Sequence, residues 1–185
     1  MTLPRPLAVV RLAAAMCVGL ASCTFGGGGS AVSTSPSETR PAIVVADAPS
    51  IPTTVDALPT LDADGYEALL ADVHGTPLVV NFWASWCEPC EREMPLLAAA
   101  AERHRDSVQF LGIDILDTPE PARAFLDRFD VPYPNLFDAS GSTRDAVGSL
   151  GQPVTVFYDA GGDAVAKVDG ELSPSELDDA LRAIV

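Results

Sequence analysis

The chain has few basic residues. It carries 11 Lys and Arg against 26 Asp and Glu, which gives a formal net charge of -15. A surface that binds nucleic acid must neutralise phosphates with Lys and Arg, so this balance excludes nucleic acid as a partner. Hydrophobic residues still make up 48% of the 185 residues. That share is enough for the core of one domain and is not typical of a disordered chain.

The N-terminal apolar run is short. Residues 12–20 cannot cross a bilayer as a helix, and together with Arg5 and Arg11 they predict a signal peptide over residues 1–22. The run ends Leu20-Ala21-Ser22-Cys23. This resembles the bacterial lipobox, in which the Cys receives diacylglycerol and becomes the first residue of the mature protein. The alternative is an ordinary secretory signal that is cleaved nearby.

Cysteine is also scarce, with four residues. Cys17 would leave with the signal peptide and Cys23 would carry the lipid. Cys87 and Cys90 would then be the thiols that remain, in an oxidising compartment where disulfides persist. Loss of Arg5 and Arg11 moves the net charge from -15 to -17. No basic cluster then favours anionic headgroups, so we expect the extracytoplasmic protein to be anchored to the cell membrane by the lipid alone.

Residues 23–59 are rich in Gly, Ser, Thr and Pro. This composition predicts a lipidated Cys23 followed by a flexible tether. The Gly-rich stretch at residues 26–29 is not a phosphate loop, because no strand precedes it and no Lys-Ser/Thr follows it. Residues 43–45 predict a short added strand.

Residues 60–185 alternate helical and strand patterns and predict one domain. Residues 78–84 and 108–116 are nearly continuous apolar runs, typical of strands buried on both faces. Residues 154–158 and 164–168 flank a Gly-rich turn and predict a β-hairpin. We expect an α/β fold with a central mixed sheet, helices on both faces, a closing hairpin and a C-terminal helix. The other predicted elements are helices after Asp62 or Asp64, over 88–105 with an interruption at Pro95, over 121–129, over 143–150 and after Ser173, and a short strand over 135–137.

The motif Cys87-Glu88-Pro89-Cys90 follows the first buried strand and opens a helix. A Cys at a helix N-terminus is exposed to the positive end of the helix dipole, which favours its thiolate. The second Cys lies about one turn later and can attack a mixed disulfide. A zinc site would need two more ligands, and His74 and His104 are the only histidines. A structural disulfide closing so short a loop would remove little chain entropy, so redox activity is favoured.

The stretch from Val80 to Pro95, which reads VNFWASWCEPCEREMP, resembles the thioredoxin fold and, more narrowly, TlpA/ResA-like thiol–disulfide oxidoreductases that work outside the cytoplasmic membrane. The resemblance implies that Cys87 is the nucleophile, that Cys90 is the resolving thiol and that Pro153 is a cis-proline. In that position Pro153 would expose the backbone of Gln152 to a substrate strand. Trp86 and Pro89 are the further substrate-contact candidates.

The resemblance also implies partners. These are disulfides of exported proteins, such as apocytochrome c, and a membrane thiol carrier that restores the reduced protein. No organic cofactor or metal is needed beyond the Cys87–Cys90 couple, and we expect a monomer. The alternatives are an oxidant in the folding of exported proteins and a lipoprotein that uses the fold only for binding.

Three residues depart from the broader pattern. Asn81 stands where cytoplasmic thioredoxins have a buried Asp, which agrees with the TlpA/ResA branch. Glu88, within the motif, is the candidate substitute charge, and it would raise the pKa of Cys87 or Cys90 and favour a reductant. The alternative for Glu88 is a solvated acid that stabilises the start of the helix. Gln152 is bulkier and more polar than the usual residue before the cis-proline.

Overall fold

The computed structural model describes residues 40–185. The predicted signal peptide, Cys23 and the first part of the predicted tether lie outside these residues. Within residues 40–185, no helix is long and apolar enough to cross a membrane.

Residues 40–185 form five strands and five helices, which alternate except that β5 follows β4 directly. The strands are β1 (Leu78–Trp83), β2 (Gln109–Ile115), β3 (Asn135–Asp138), β4 (Val154–Tyr158) and β5 (Ala164–Asp169). The helices are α1 (Ala63–Asp72), α2 (Glu88–Arg103), α3 (Pro119–Arg128), α4 (Ser142–Ala146) and α5 (Pro174–Ile184).

The sheet is mixed, in the order β3-β2-β1-β4-β5. β1 pairs in parallel with β2 and antiparallel with β4, and β4 and β5 form the predicted hairpin. In this register Phe82 lies opposite Val154 and Trp83 lies opposite Asp114. The end of β1, the end of β2 and the beginning of β4 therefore meet at one edge of the sheet.

Helix boundaries follow local chemistry. The Asp62 side chain accepts the Gly65 N–H at the start of α1, which decides between the two predicted caps. Ser173 and Glu176 form the predicted capping box of α5. The helix that holds the redox motif runs from Glu88 to Arg103 with Pro95 inside it, so Pro95 does not end the helix.

Alternation along the strands divides the core into two faces. Val79, Trp83 and Phe157 pack under α2, α3 and α5, whereas Val80 and Phe82 pack under α1. Asn81 and Thr155 lie on the first of these faces, among apolar side chains. Helices thus cover both sides of the sheet, as the alternating pattern predicts.

The chain before α1 departs from the prediction of a tether that extends to residue 59. Residues 40–58 are folded onto the domain, and Ile51 and Val55 are buried in its two core clusters. Residues 43–45 do not form the predicted strand. Instead, the Gln109 side-chain oxygen accepts the N–H groups of Val45 and Ala46.

Candidate active site

Cys87 and Cys90 are joined by a disulfide at the start of α2. Cys87 is the N-cap residue, and its sulfur accepts the backbone N–H of Cys90 at 3.3 Å. Both cysteines are buried, and Cys90 is the more deeply buried of the two. The Cys87 sulfur therefore lies where unpaired N–H groups and the helix dipole stabilise negative charge, as a nucleophilic thiolate requires.

The Gln152–Pro153 peptide bond is cis, as the family resemblance implies. Pro153 directly precedes Val154, which pairs with Phe82 near the end of β1. This register places Pro153 at the sheet edge from which the chain leads to Cys87. The Gln152 side chain accepts a hydrogen bond from Arg144 at 3.4 Å.

The remaining predicted residues lie around the motif. Trp86 is 58% exposed, and its indole N–H donates to the Leu116 carbonyl. Pro89 occupies the first turn of α2, where its missing N–H removes no helical hydrogen bond. The Glu88 side chain is 87% exposed and pairs with Arg92 at 3.0 Å. This contact is what the solvated-acid interpretation of Glu88 predicts, and it directs the charge away from the protein interior.

A second acid at this site, Glu93, has no role in the sequence predictions. It is buried one turn after Cys90 on the same side of α2. Its carboxyl oxygens accept the Asn81 side-chain N–H at 2.8 Å and the Leu172 backbone N–H at 2.8 Å. Burial raises the pKa of Glu93 to about 7, although the two hydrogen bonds act in the opposite direction and lower the pKa. The sequence contains one signal for this role of Glu93. It is an acid that lies between Cys90 and Leu97 on an otherwise apolar face of the helix.

Two further acids were also missed. Asp114 is buried at the end of β2, and Asp117 accepts the backbone N–H of Ser85. In sequence they resemble ordinary acids at the end of a strand, and their proximity to the redox turn becomes evident only in the fold. Among the described residues, no group of three or more His, Cys, Asp or Glu side chains is placed to hold a metal ion.

A disulfide at a helix N-terminus, beside a cis-proline and on a mixed sheet flanked by helices, defines a thioredoxin-like thiol–disulfide oxidoreductase. Comparison with known proteins makes the assignment more specific. The sequence pattern of the AhpC/TSA family matches residues 46–166, more than half of the chain, and the chain belongs to this family.

Curated relatives carry the same enzyme class in their names. The thiol-disulfide oxidoreductase ResA of Bacillus thuringiensis subsp. konkukian is 27% identical over 124 residues, which cover 66% of this chain and 72% of the relative. ResA of Geobacillus kaustophilus is 27% identical over 124 residues, which cover 66% of this chain and 71% of the relative.

Solved structures agree with the fold and the enzyme class. A secreted Mycobacterium tuberculosis disulfide oxidoreductase, described as homologous to E. coli DsbE, is 30% identical with a TM-score of 0.56. The match covers 61% of this chain and 85% of that protein. A DsbF homologue from Corynebacterium diphtheriae is 26% identical with a TM-score of 0.56, and the match covers 61% and 74% of the two chains. The chain is therefore an enzyme that exchanges thiols and disulfides.

Proposed function

We propose that this chain is a membrane-tethered reductant of disulfides in exported proteins, apocytochrome c among them. The observation that carries the proposal is the Cys87–Cys90 pair at the N-terminus of α2. The ResA relatives, the description of the M. tuberculosis relative as secreted and DsbE-like, and the Leu20-Ala21-Ser22-Cys23 motif support the exported location and the substrate class.

The reaction transfers two electrons. The Cys87 thiolate attacks one sulfur of the partner disulfide, and the other partner sulfur leaves as a thiolate that takes up a proton. Cys90 then loses its proton and attacks the Cys87 sulfur, which releases the second partner thiolate. The partner is reduced to a dithiol and the enzyme is oxidised to the Cys87–Cys90 disulfide. An external membrane thiol carrier supplies the two electrons and two protons that restore the enzyme dithiol.

Glu93 is the candidate base for the second step. It lies one turn after Cys90 and on the same buried side of α2. A general base works best when its pKa lies near the working pH, and burial brings the pKa of Glu93 to about 7. We assign to Glu93 the role of accepting the Cys90 proton during release of the reduced partner.

Substrate docking uses the exposed apolar residues beside the cysteines. Trp86 is 58% exposed next to Cys87, and Leu150 is 94% exposed two residues before Gln152. An extended substrate segment that pairs with the Gln152 backbone would place apolar side chains against these two residues. Pro89 lies at the motif itself and completes this surface.

Charge around α2 favours the reductant. Glu88 and Glu91 lie in its first turn and Glu93 in the next, and negative charge on these acids opposes stabilisation of a thiolate. Arg92 pairs with Glu88 and Arg128 pairs with Glu91, which reduces the effect of those two charges. The hydrogen bond from the Cys90 N–H to the Cys87 sulfur acts in the other direction and favours the second candidate, an oxidant. About 30 mV corresponds to 1.4 kcal/mol for this two-electron couple, so one nearby charge is enough to change the direction.

The redox state of the cysteines in growing cells tests the direction. Acid quenching followed by alkylation with a mass-tagged maleimide separates the dithiol from the disulfide on a gel. We expect mostly dithiol in wild-type cells, with the C87S variant as the control for one modified thiol. A mostly oxidised wild-type protein would contradict the reductant and support the oxidant.

The tether has its own test. In a membrane fractionation, the wild-type protein should sediment with membranes as a processed, lipidated protein. The C23A variant should yield no processed, lipidated protein in that fraction. Mass spectrometry of the processed N-terminus checks for diacylglycerol on Cys23. A soluble wild-type protein with an unmodified N-terminus would show an ordinary secretory signal instead.

A further inference from the structure

The turn that precedes the nucleophile is held from a neighbouring loop. The Cys87 N–H donates to the Ala84 carbonyl at 3.1 Å and closes the turn. The Ser85 backbone N–H donates to Asp117 at 2.6 Å, and the Trp86 indole N–H donates to the Leu116 carbonyl at 3.1 Å. Both residues between Ala84 and Cys87 are therefore bound to the loop that joins β2 to α3.

Asp117 is held at both oxygens. One accepts the Ser85 N–H, and the other accepts the Thr118 N–H at 2.7 Å. Hydrogen bonds that end on a carboxylate are shorter and stronger than neutral ones, and both of these are short. The Asp117 side chain thus connects the N-cap residue of α3 with the turn that presents Cys87.

The backbone beside Asp117 adopts an uncommon conformation. Leu116 has a positive φ of 54°, a left-handed conformation that is unfavourable for a residue with a Cβ. Its N–H donates to the Asp138 carbonyl, and its own carbonyl accepts the Trp86 indole. The fold therefore keeps a strained residue at the point where the loop contacts the redox turn.

Asp114 lies behind this contact. It is fully buried at the end of β2, opposite Trp83, and within the described part of the chain neither of its oxygens has a hydrogen-bond partner. Burial, together with the nearby charge of Asp117, raises the pKa of Asp114 to about 9. Asp114 is therefore protonated at neutral pH and adds no negative charge near the turn.

We propose that Asp117 is a positioning residue of the redox centre, which fixes the turn before Cys87. The inference depends on the thiol–disulfide chemistry of the family and not on the direction of electron flow. It therefore stands or fails independently of the proposed reductant role.

The experiment compares variants that separate position from charge. D117N and D117A both lose the negative charge, but only D117N keeps an oxygen that accepts the Ser85 N–H. The rate of Cys87 alkylation by iodoacetamide in the reduced enzyme, and the reduction potential against glutathione, are measured for both. We expect Cys87 of D117A to be alkylated at least about fivefold more slowly than Cys87 of D117N at pH 7. A change of this size corresponds to the loss of about one hydrogen bond. We also expect the two variants to differ in potential.

A second pair of variants at the same position keeps the test valid if D117A fails to fold. D117T keeps a hydroxyl oxygen that can accept an N–H, and the nearly isosteric D117V keeps no acceptor. We expect D117T to behave as D117N and D117V to be alkylated as slowly as D117A. D163A is the control, because Asp163 is exposed in the turn at the far end of β4. Equal rates and potentials for D117A and D117N, or for D117V and D117T, would overturn the proposal.

Discussion

Glu93 shows how one buried acid links stability to chemistry. Its carboxyl group is fixed by Asn81 and the Leu172 backbone, and burial keeps the pKa at about 7. In the unfolded chain the same group has an ordinary pKa of 4.5. The native state therefore binds the proton more tightly. The stabilisation is complete below about pH 4.5 and is lost as the pH rises to about 7.

The difference between the native and unfolded pKa of Glu93 predicts how stability changes with pH. Between pH 5 and pH 8 the wild-type protein should lose about 2 to 3 kcal/mol of unfolding free energy through Glu93, and E93Q should not show this loss. The measurement is chemical unfolding at the two pH values for both proteins. Asp114 adds a loss of the same sign, but it is present in both proteins and cancels in the comparison. An identical pH dependence for wild type and E93Q would contradict the shifted pKa.

At the scale of residues, the sequence predicts the two cysteines well and the buried acids poorly. The Cys-x-x-Cys spacing predicts the nucleophile, the resolving thiol and the helix start without reference to the rest of the fold. Glu93 and Asp117 have their roles through partners that are remote in sequence, such as Leu172 and Ser85. Local patterns do not contain those pairings, so the acids appeared ordinary.

At the scale of elements, the lead-in segment of residues 40–58 is the main difference between prediction and structure. Its Pro, Ser and Thr content is typical of a tether. Its few apolar residues nevertheless reach both core clusters, and the Gln109 side chain holds its backbone. Composition averages over a segment, whereas burial depends on where single residues such as Ile51 fall. The strands were predictable because their apolar runs are continuous, and the C-terminal helix because its cap is local.

Burial of Ile51 predicts how much the segment of residues 40–58 contributes to stability. I51A should lower the unfolding free energy by about 2 to 4 kcal/mol, because Ile51 is buried and its truncation leaves a cavity. V44A is the matched control in the same segment, since Val44 is exposed and its truncation should cost less than about 0.5 kcal/mol. Thermal or urea unfolding of both variants gives the comparison. If I51A were as stable as wild type, residues 40–58 would be a tether after all.

Gly112 illustrates a packing constraint between elements. A Cβ at this position would lie 1.8 Å from the Asn135 side-chain oxygen and 2.8 Å from the Trp83 indole nitrogen. Those two side chains are hydrogen-bonded to each other across the sheet face. The glycine therefore provides room for a buried polar contact between β1 and β3, and no local sequence pattern predicts that contact.

At the scale of the whole molecule, the edge of the sheet brings the chemistry together. The end of β1 leads to Cys87, the end of β2 leads to Asp117, and the beginning of β4 carries Pro153. Three segments remote in sequence thus meet around one disulfide. The mixed sheet order was predictable only as a class, because alternating helices and strands indicate α/β layers without specifying which strand occupies the centre.

The central claim is that Cys87 attacks partner disulfides and Cys90 releases them. The most direct measurement is trapping in cells with the C90S variant, followed by non-reducing electrophoresis and identification of the captured proteins. We predict mixed disulfides through Cys87 that disappear on reduction and are absent from the C87S C90S double variant. A C90S variant that folds and is exported but captures no partner would contradict the account and indicate a binding protein rather than an enzyme.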